Sequence, residues 1–313
     1  MKSIYHFLIT TIGILMLGSL PYLFSDEIYQ LQSTLKLLQT GALKDASFLS
    51  HDIGFHPVNY LVHMFGTIKD LLNLNGINYY FEGMFLPLFP EFFYKYLYSM
   101  AIFSGALFVG ILLAVLITFI IMLIPTKYKK PVNFLLLLLE SLPDLFVILL
   151  LQTTISWLYG KTDILLFETL SSYQEPAYLL PILCLATLPA IFLIKHLVQL
   201  FEDELSKEYV EFAKGKGLQK SFILLVHISR NTFLILFYQF RTIYWFALSN
   251  LLMLEIIFNM KGFMQFMWAY APTTPIILTI GLLMVFLPFY LFFTFGKVAL
   301  IKGGLVKHGM ENL

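Results

Sequence analysis

Charged residues are scarce in this chain. Only 12% of its 313 residues are Asp, Glu, Lys or Arg, whereas 59% are hydrophobic and 17% are aromatic. A soluble core of this size cannot bury so much apolar surface. The formal net charge of +1 provides no concentrated basic surface for phosphate groups, which argues against nucleic acid as a partner. The composition therefore predicts a protein that resides in the lipid bilayer.

Cysteine and the common catalytic motifs are nearly or wholly missing. Cys184 is the single cysteine, so an internal disulfide is excluded, and its apolar surroundings favour a small buried hydrophobic residue. The sequence has no G-x-x-x-x-G-K-[ST] phosphate-binding loop, no H-E-x-x-H and no G-x-S-x-G. A membrane metalloprotease or serine hydrolase is therefore disfavoured, and the chain is not expected to bind a nucleotide through such a phosphate-binding loop.

Long gaps between charges predict six membrane-spanning helices, because a helix needs about 20 mostly apolar residues to cross the hydrocarbon. These spans are 7–24, a stretch within 95–127, 132–158, 175–195, 232–254 and 275–295. The first could instead be a secretory signal peptide, since Lys2 precedes an apolar run that ends near Gly18 and Ser19. The other spans would hold the chain in the membrane in either case.

The distribution of Lys and Arg predicts the orientation. With an uncleaved first helix, thirteen of them fall on the side of the two termini and six on the other side. The positive-inside rule then puts both termini in the cytoplasm. The predicted organisation is a first transmembrane helix at 1–24, an extracellular segment at 25–98, a membrane core at 99–298 with a cytoplasmic loop at 195–230, and a cytoplasmic tail at 299–313.

The extracellular segment is too long for a simple turn. It combines a polar amphipathic stretch, Glu27–Lys44, with an aromatic and proline-rich one, Phe81–Phe93. Loops of this length are usually functional or carry structure of their own. We expect it to cap the membrane domain.

The cytoplasmic loop is predicted to contain a helix, a glycine-bearing turn and a second helix between Phe201 and Asn231. Asp203, Glu204, Glu208 and Glu211 come early in this segment, and Lys214, Lys216 and Lys220 come late, as the helix macrodipole favours. Gly215 and Gly217 are expected to end the first helix, because glycine adopts the left-handed cap conformation without strain.

This loop carries residues through which the sequence resembles a known family. The family signature is Glu-Ala-Ala, three residues, then Gly, and here its positions are held by Glu211, Phe212, Ala213 and Gly217. Residues typical of one branch surround the signature: Tyr209, Val210, Lys216, Leu218, His227, Arg230 and Asn231. On these residues the chain resembles the integral membrane subunits of binding-protein-dependent ABC transporters, specifically the peptide and nickel branch.

Two further segments are similar to that branch. SLPDLF, Ser141–Phe146, resembles its Ser-x-Pro-x-Phe pattern with the aromatic residue displaced by one position. LEIIFNMKGFMQFM, Leu254–Met267, resembles a Thr-Glu-x-x-Phe…Gly segment. The similarity extends over about 131–295; the usual Pro-Gly-Asp-Pro after the first helix is missing, and Phe212 replaces an alanine.

The resemblance implies an all-α, six-helix permease of the importer type in the bacterial cell membrane. Its implied partners are a second homologous permease, two ABC ATPases, an extracellular substrate-binding lipoprotein and the lipid bilayer. It implies that ATP and Mg are bound by the ATPases and that this chain needs no cofactor. Five residues are implied in coupling to the ATPase: Glu211, Phe212, Ala213, Gly217 and Leu218.

Rival interpretations come from other classes. A polytopic sensor or scaffold could keep the same fold without transporting, and a membrane enzyme would need a catalytic constellation that the sequence lacks. His51, His56 and His63 could bind a metal or a metal chelate, although their spacing matches no common ligand pattern and surface histidines are the simpler interpretation.

Three charges fall within predicted spans: Glu140, Asp144 and Arg241. Ionisable residues at this depth usually face a protein interior or a cavity. Glu140 and Asp144 are four residues apart, so an unbroken helix would place them on one face. They either line a translocation path or form a structural ion pair, and we expect Arg241 to pair with one of the two acids.

Overall fold

A computed structural model describes residues 2–24, 54–81, 84–163, 167–168, 170–171 and 176–302. Its helices, numbered in chain order, are α1 (Lys2–Gly18), α2 (Pro57–Leu71), α3 (Glu91–Leu123), α4 (Thr126–Glu140), α5 (Asp144–Thr162), α6 (Leu179–Leu205), α7 (Glu208–Gly215), α8 (Lys220–Ile257), α9 (Phe263–Tyr270) and α10 (Ile276–Lys302). The predicted all-α polytopic fold is confirmed.

Five helices are long and apolar enough to cross a membrane: α3, α5, α6, α8 and α10. They correspond in order to the second to sixth predicted spans. The first predicted span corresponds to α1, a shorter apolar helix. Many large apolar side chains of these helices are exposed, including Phe108, Leu116 and Phe292, as expected of surfaces solvated by lipid.

The chain divides into two compact units, residues 1–96 with 265–313 and residues 97–264. In the first unit α1 packs against α10, where the Phe7 and Phe286 rings stack with centroids 5.8 Å apart. The helix α2 lies against the 3₁₀ turn Leu20–Leu23 that follows α1. His63 of α2 stacks on Tyr22 of that turn at 3.9 Å.

A small antiparallel hairpin, β1 (Asn78–Phe81) and β2 (Met84–Pro87), precedes α3 and departs from a purely helical fold. Tyr79 of β1 is buried against the rings of Phe266 and Tyr270. Aromatic residues favour such half-buried strands, which accounts for the hairpin in the aromatic stretch. The predicted extracellular segment therefore contains structure of its own, and α3 begins at Glu91 instead of after residue 98. The predicted amphipathic stretch 27–44 lies outside the described residues.

In the second unit α6 is the most buried helix, and it packs against α4, α5 and α8. A cluster of Val147, Leu188 and Ile191 joins α5 to α6. Cys184 lies buried in α6 as the predicted small hydrophobic residue. The segment Ile223–Ile228 near the start of α8 is π-helical.

The third predicted span is not one helix. α4 ends at Glu140, and α5 begins at Asp144 after a break at Ser141–Pro143. Proline has no amide hydrogen to continue a helix and pushes the preceding residue out of the helical region. Pro143 itself is extended, with ψ 139°. Asp144 then stands in the first turn of α5, where the helix dipole favours an acid.

Candidate functional site

The short helix α7 lies in the chain between the long helices α6 and α8. Ser206 ends α6, and Lys207 is extended and precedes the first turn of α7. Glu208 and Glu211 lie in that first turn and Lys214 in the last, which matches the helix macrodipole. The predicted helix, turn and helix are therefore present, with a helix break at residues 206–207 that the sequence did not indicate.

Gly217 closes α7 in a Schellman motif. It has a left-handed φ of +77°, and its amide donates to the Lys214 carbonyl at 2.9 Å while the Leu218 amide donates to the Ala213 carbonyl at 3.3 Å. These bonds satisfy two carbonyls that a helix end otherwise leaves unpaired. The prediction that Gly217 ends the helix in the left-handed conformation is confirmed, whereas Gly215 belongs to the helix itself.

The two faces of α7 differ sharply. Val210 and Ala213 are buried, and α7 contacts the π-helical segment of α8. Phe212 is 66% exposed, and the Lys216 ammonium lies 4.4 Å from its ring centroid, a cation–π distance. Glu211 is also exposed, and its side chain forms no hydrogen bond or ion pair with the part of the chain that is described. Two of the residues that were predicted to couple to the ATPase, Glu211 and Phe212, are therefore exposed. Ala213 is buried on the opposite face, and Leu218 is partly buried.

Glu204, in the last turn of α6, is a site residue that the sequence did not single out. It is only 6% exposed and accepts hydrogen bonds from Lys207, from the Tyr209 hydroxyl at 2.5 Å and, more weakly, from the Asn231 amide at 3.5 Å. Burial raises the pKa of Tyr209 to about 12, and the bond to Glu204 adds to the increase. A usable signal existed, because Glu204 continues the buried stripe of Leu197 and Phe201 at helical spacing.

The intramembrane charges pair differently from the prediction. Glu140 forms an ion pair with Lys195 of α6, and Asp144 accepts a hydrogen bond from the Asn250 amide at 2.7 Å. Arg241 is exposed and pairs with neither acid, so the predicted Arg241 ion pair is wrong. One reason is that the break at Pro143 places the two acids on different helices. The other is that Asn250, which contacts Asp144, lies about 13 Å along α8 from Arg241, so Arg241 is not at the level of Asp144.

A second ion pair also joins α4 to α6. The Lys129 ammonium lies 2.8 Å from the Glu202 carboxylate, in addition to the pair between Glu140 and Lys195. The two helices are thus linked by ion pairs at two levels.

A buried polar network occupies the end of α8, in the segment that resembles the family's Glu-x-x-Phe…Gly pattern. Glu255 is fully buried, and its Oε1 accepts a hydrogen bond from the Ser99 hydroxyl at 2.6 Å. Ser99 in turn accepts from the Phe263 amide at 2.8 Å. A Cβ at Gly262 would lie 2.5 and 2.6 Å from the two Glu255 carboxylate oxygens. Any side chain at position 262 would therefore clash with Glu255, so a glycine is required there. Phe258, three residues after Glu255, is wholly buried.

The histidines give no support to a metal site. His51 lies outside the described residues, and His63 is stacked on Tyr22. Within the described part of the chain no group of three His, Cys, Asp or Glu side chains could hold a metal ion.

Comparison with known proteins places this architecture in a family. No curated protein matches the chain. Residues 106–302, more than half of the chain, match the family described as binding-protein-dependent transport system inner membrane component. That family consists of ABC transporter permeases, which are multi-pass proteins of the cell membrane with a substrate-binding protein and ATPases as partners. By this match and by its apolar helices, the chain belongs to the inner membrane components of binding-protein-dependent transport systems.

Proposed function

We propose that this chain is a permease subunit of an ABC importer for peptides or a related small solute, including nickel or a metal chelate. It pairs with a second, homologous permease to enclose the path, and two ATPases bind the ATP and Mg that drive it. The observation that carries this proposal is α7, a short helix presented between two long apolar helices with an exposed outer face. A scaffold without transport is the second candidate, because fold alone does not establish activity.

The exposed face of α7 is suited to dock in a groove of the ATPase. A short helix in a groove is a common recognition mode, and exposed aromatic side chains often supply much of the binding energy. Phe212 offers such an anchor, and Lys216 over its ring holds it in place. Glu211 is available to pair with a basic group of the partner, since it is exposed.

Arg241 is assigned to the translocation path or to the contact with the second permease. Its side chain is exposed on a helix that spans the membrane, where a charge facing lipid alone would be costly. Glu140 and Asp144 are instead engaged by Lys195 and Asn250, which supports a structural role for the two acids.

Transport by the reconstituted complex tests the coupling role of α7. Gly217→Pro removes the amide that bonds to Lys214 and forces φ to about −65°, so we expect ATP-dependent uptake to be lost while the protein still inserts. Glu211→Lys, which reverses the charge on the exposed face, should weaken co-purification with the ATPases. Gly215→Ala is the matched control, because Gly215 is helical and a Cβ there meets nothing within 4 Å. Normal uptake by both altered proteins would overturn the coupling role of α7, whereas the absence of ATP-dependent uptake by the wild-type complex would favour the scaffold.

Orientation can be tested with single cysteines in a Cys184→Ala background. Lys216 and Lys261 are both exposed, and the Lys and Arg distribution puts them on opposite sides of the membrane. An impermeant thiol reagent added to intact cells should label Lys261→Cys and leave Lys216→Cys unlabelled. The reverse pattern would overturn the proposed orientation.

The substrate class is tested by direct uptake. The complex, with its binding protein, should accumulate a labelled dipeptide or oligopeptide, or a labelled nickel chelate, in an ATP-dependent manner. Accumulation of none of these would remove the chain from the peptide and nickel branch without affecting its membership of the wider family.

A further inference from the structure

The carboxylate of Glu204 joins three segments that surround α7. Its partners are Lys207 in the connection before α7, Tyr209 in the first turn of α7, and Asn231 near the start of α8. Glu204 itself belongs to the last turn of α6. A single buried side chain of α6 is therefore bonded to the connection before α7, to α7 itself and to α8.

The burial of Glu204 makes the loss of these bonds costly. A carboxylate that is 6% exposed has lost most of its hydration, and such a group is tolerated only when it is paired and hydrogen-bonded. Bonds to a charged acceptor are also shorter and stronger than neutral ones, as the 2.5 Å bond from Tyr209 illustrates. Moving α7 away from α6 would take the Tyr209 hydroxyl away from this carboxylate.

Within the described residues, the apolar attachment of α7 is small. It has eight residues, too few for a helix that is stable by itself, and its buried side chains are Val210 and Ala213. Apolar contacts of this kind resist separation but permit sliding, because they are not directional. The bonds to Glu204 therefore supply the directional part of the attachment.

We propose that Glu204 is a positioning residue that fixes α7 to the ends of α6 and α8, so that a displacement of α7 is transmitted to both helices. This inference rests on the proposed function, in which the ATPase acts on the exposed face of α7. Glu204 does not touch the ATPase or the solute; it acts through Tyr209 and Asn231. Without it, the ATPase would move α7 alone, and ATP would be hydrolysed with little transport.

The decisive quantity is the amount of solute transported per ATP hydrolysed by the full complex in proteoliposomes. Glu204→Gln keeps the shape of the side chain but removes its charge and one acceptor oxygen. We expect this variant to keep ATP hydrolysis and to lose roughly tenfold in transport per ATP, a loss on the scale of one or two charge-assisted hydrogen bonds. Asp203→Asn is the matched control, since Asp203 lies on the same helix next to Glu204 and is exposed; its transport per ATP should equal that of the wild type.

Tyr209→Phe provides a second, milder test, because it deletes one hydroxyl and leaves the ring. It should lower transport per ATP in the same direction, and in the double variant with Glu204→Gln the two effects should fall short of additive. If Glu204→Gln fails to insert, Tyr209→Phe alone decides the question. The proposal would be overturned if the Glu204→Gln complex transported as much solute per ATP as the Asp203→Asn control. Where Glu204→Gln does not insert, the same result in Tyr209→Phe would overturn it.

Failure of the positioning role of Glu204 and failure of the proposed function give different experimental results. A photoactivatable cross-linker attached to the thiol of Phe212→Cys in a Cys184→Ala background should cross-link this position to the ATPase. If the wild-type complex shows no ATP-dependent uptake and this cysteine gives no cross-link, the proposed function is wrong. If both are normal and the Glu204→Gln complex is coupled like the wild type, only the positioning role is wrong.

Discussion

The ends of α7 and α8 share one backbone arrangement but lie in opposite environments. Each closes in a Schellman motif, with Gly217 at φ +77° after α7 and Asn259 at φ +51° after α8. At α8 the Met260 amide donates to the Glu255 carbonyl at 2.8 Å, as the Leu218 amide does to Ala213 in α7. Around Gly217 there is open space, whereas the residues that follow Asn259 pack against a buried carboxylate. The same turn thus ends a helix with an exposed outer face in one place and precedes an internal polar network in the other.

The largest effect is expected at the buried end. Gly262→Ala would place a methyl group against the Glu255 carboxylate and should destabilise the protein by about 3 kcal/mol. The measurement is the thermal midpoint of the detergent-solubilised chain. Gly160→Ala is the control, because a Cβ there meets nothing within 4 Å. Equal midpoints for the two variants would mean that the network does not constrain this glycine.

A smaller loss is expected from Ser99→Ala. The change removes the hydroxyl that donates to Glu255 and accepts from the Phe263 amide, which should cost about 2 kcal/mol in the free energy of unfolding. Ser104→Ala in the same helix is the matched control, since its exposed hydroxyl bonds only to carbonyls of its own helix. The prediction fails if both serine variants melt at the wild-type temperature.

The smallest change in stability is expected at the exposed end. Gly217→Ala places a Cβ in the left-handed region at a local cost of about 1 kcal/mol, with no steric overlap. The thermal midpoint should hardly move, whereas ATP-dependent uptake should fall because the turn after α7 is distorted. Gly215→Ala should leave both quantities unchanged or slightly raise the midpoint. A large loss of stability in Gly217→Ala would remove the contrast between the two helix ends.

The sequence predicted the features that depend on local pattern. Apolar length located the spans, and the glycine spacing located the turn at Gly217. The sequence analysis did not predict the break at Pro143, because the hydropathy of a stretch does not reflect whether a residue lacks an amide hydrogen. The predicted Arg241 pair failed for the same reason, since depths were counted along an unbroken helix.

Features that depend on tertiary contact were hidden in the sequence. The acid-rich stretch after Phe201 is typical of a solvated loop, yet Glu204 is buried and bonded to residues 5 and 27 positions away. Tyr209 and Asn231 were noticed only as parts of a family resemblance. The structure gives these two residues a shared physical role, because both donate to the same carboxylate.

The two ion pairs between α4 and α6 specify the relative direction of these helices. Lys129 of α4 meets Glu202 near the end of α6, and Glu140, at the other end of α4, meets Lys195. In the first pair α4 contributes the lysine and α6 the glutamate, whereas in the second pair α4 contributes the glutamate and α6 the lysine. If α4 ran parallel to α6 at the same spacing, lysine would face lysine and glutamate would face glutamate, which is repulsive at these depths. The positions of these charges therefore favour the antiparallel arrangement of α4 and α6 over the parallel one. Apolar packing alone does not distinguish the two arrangements, because it is not directional.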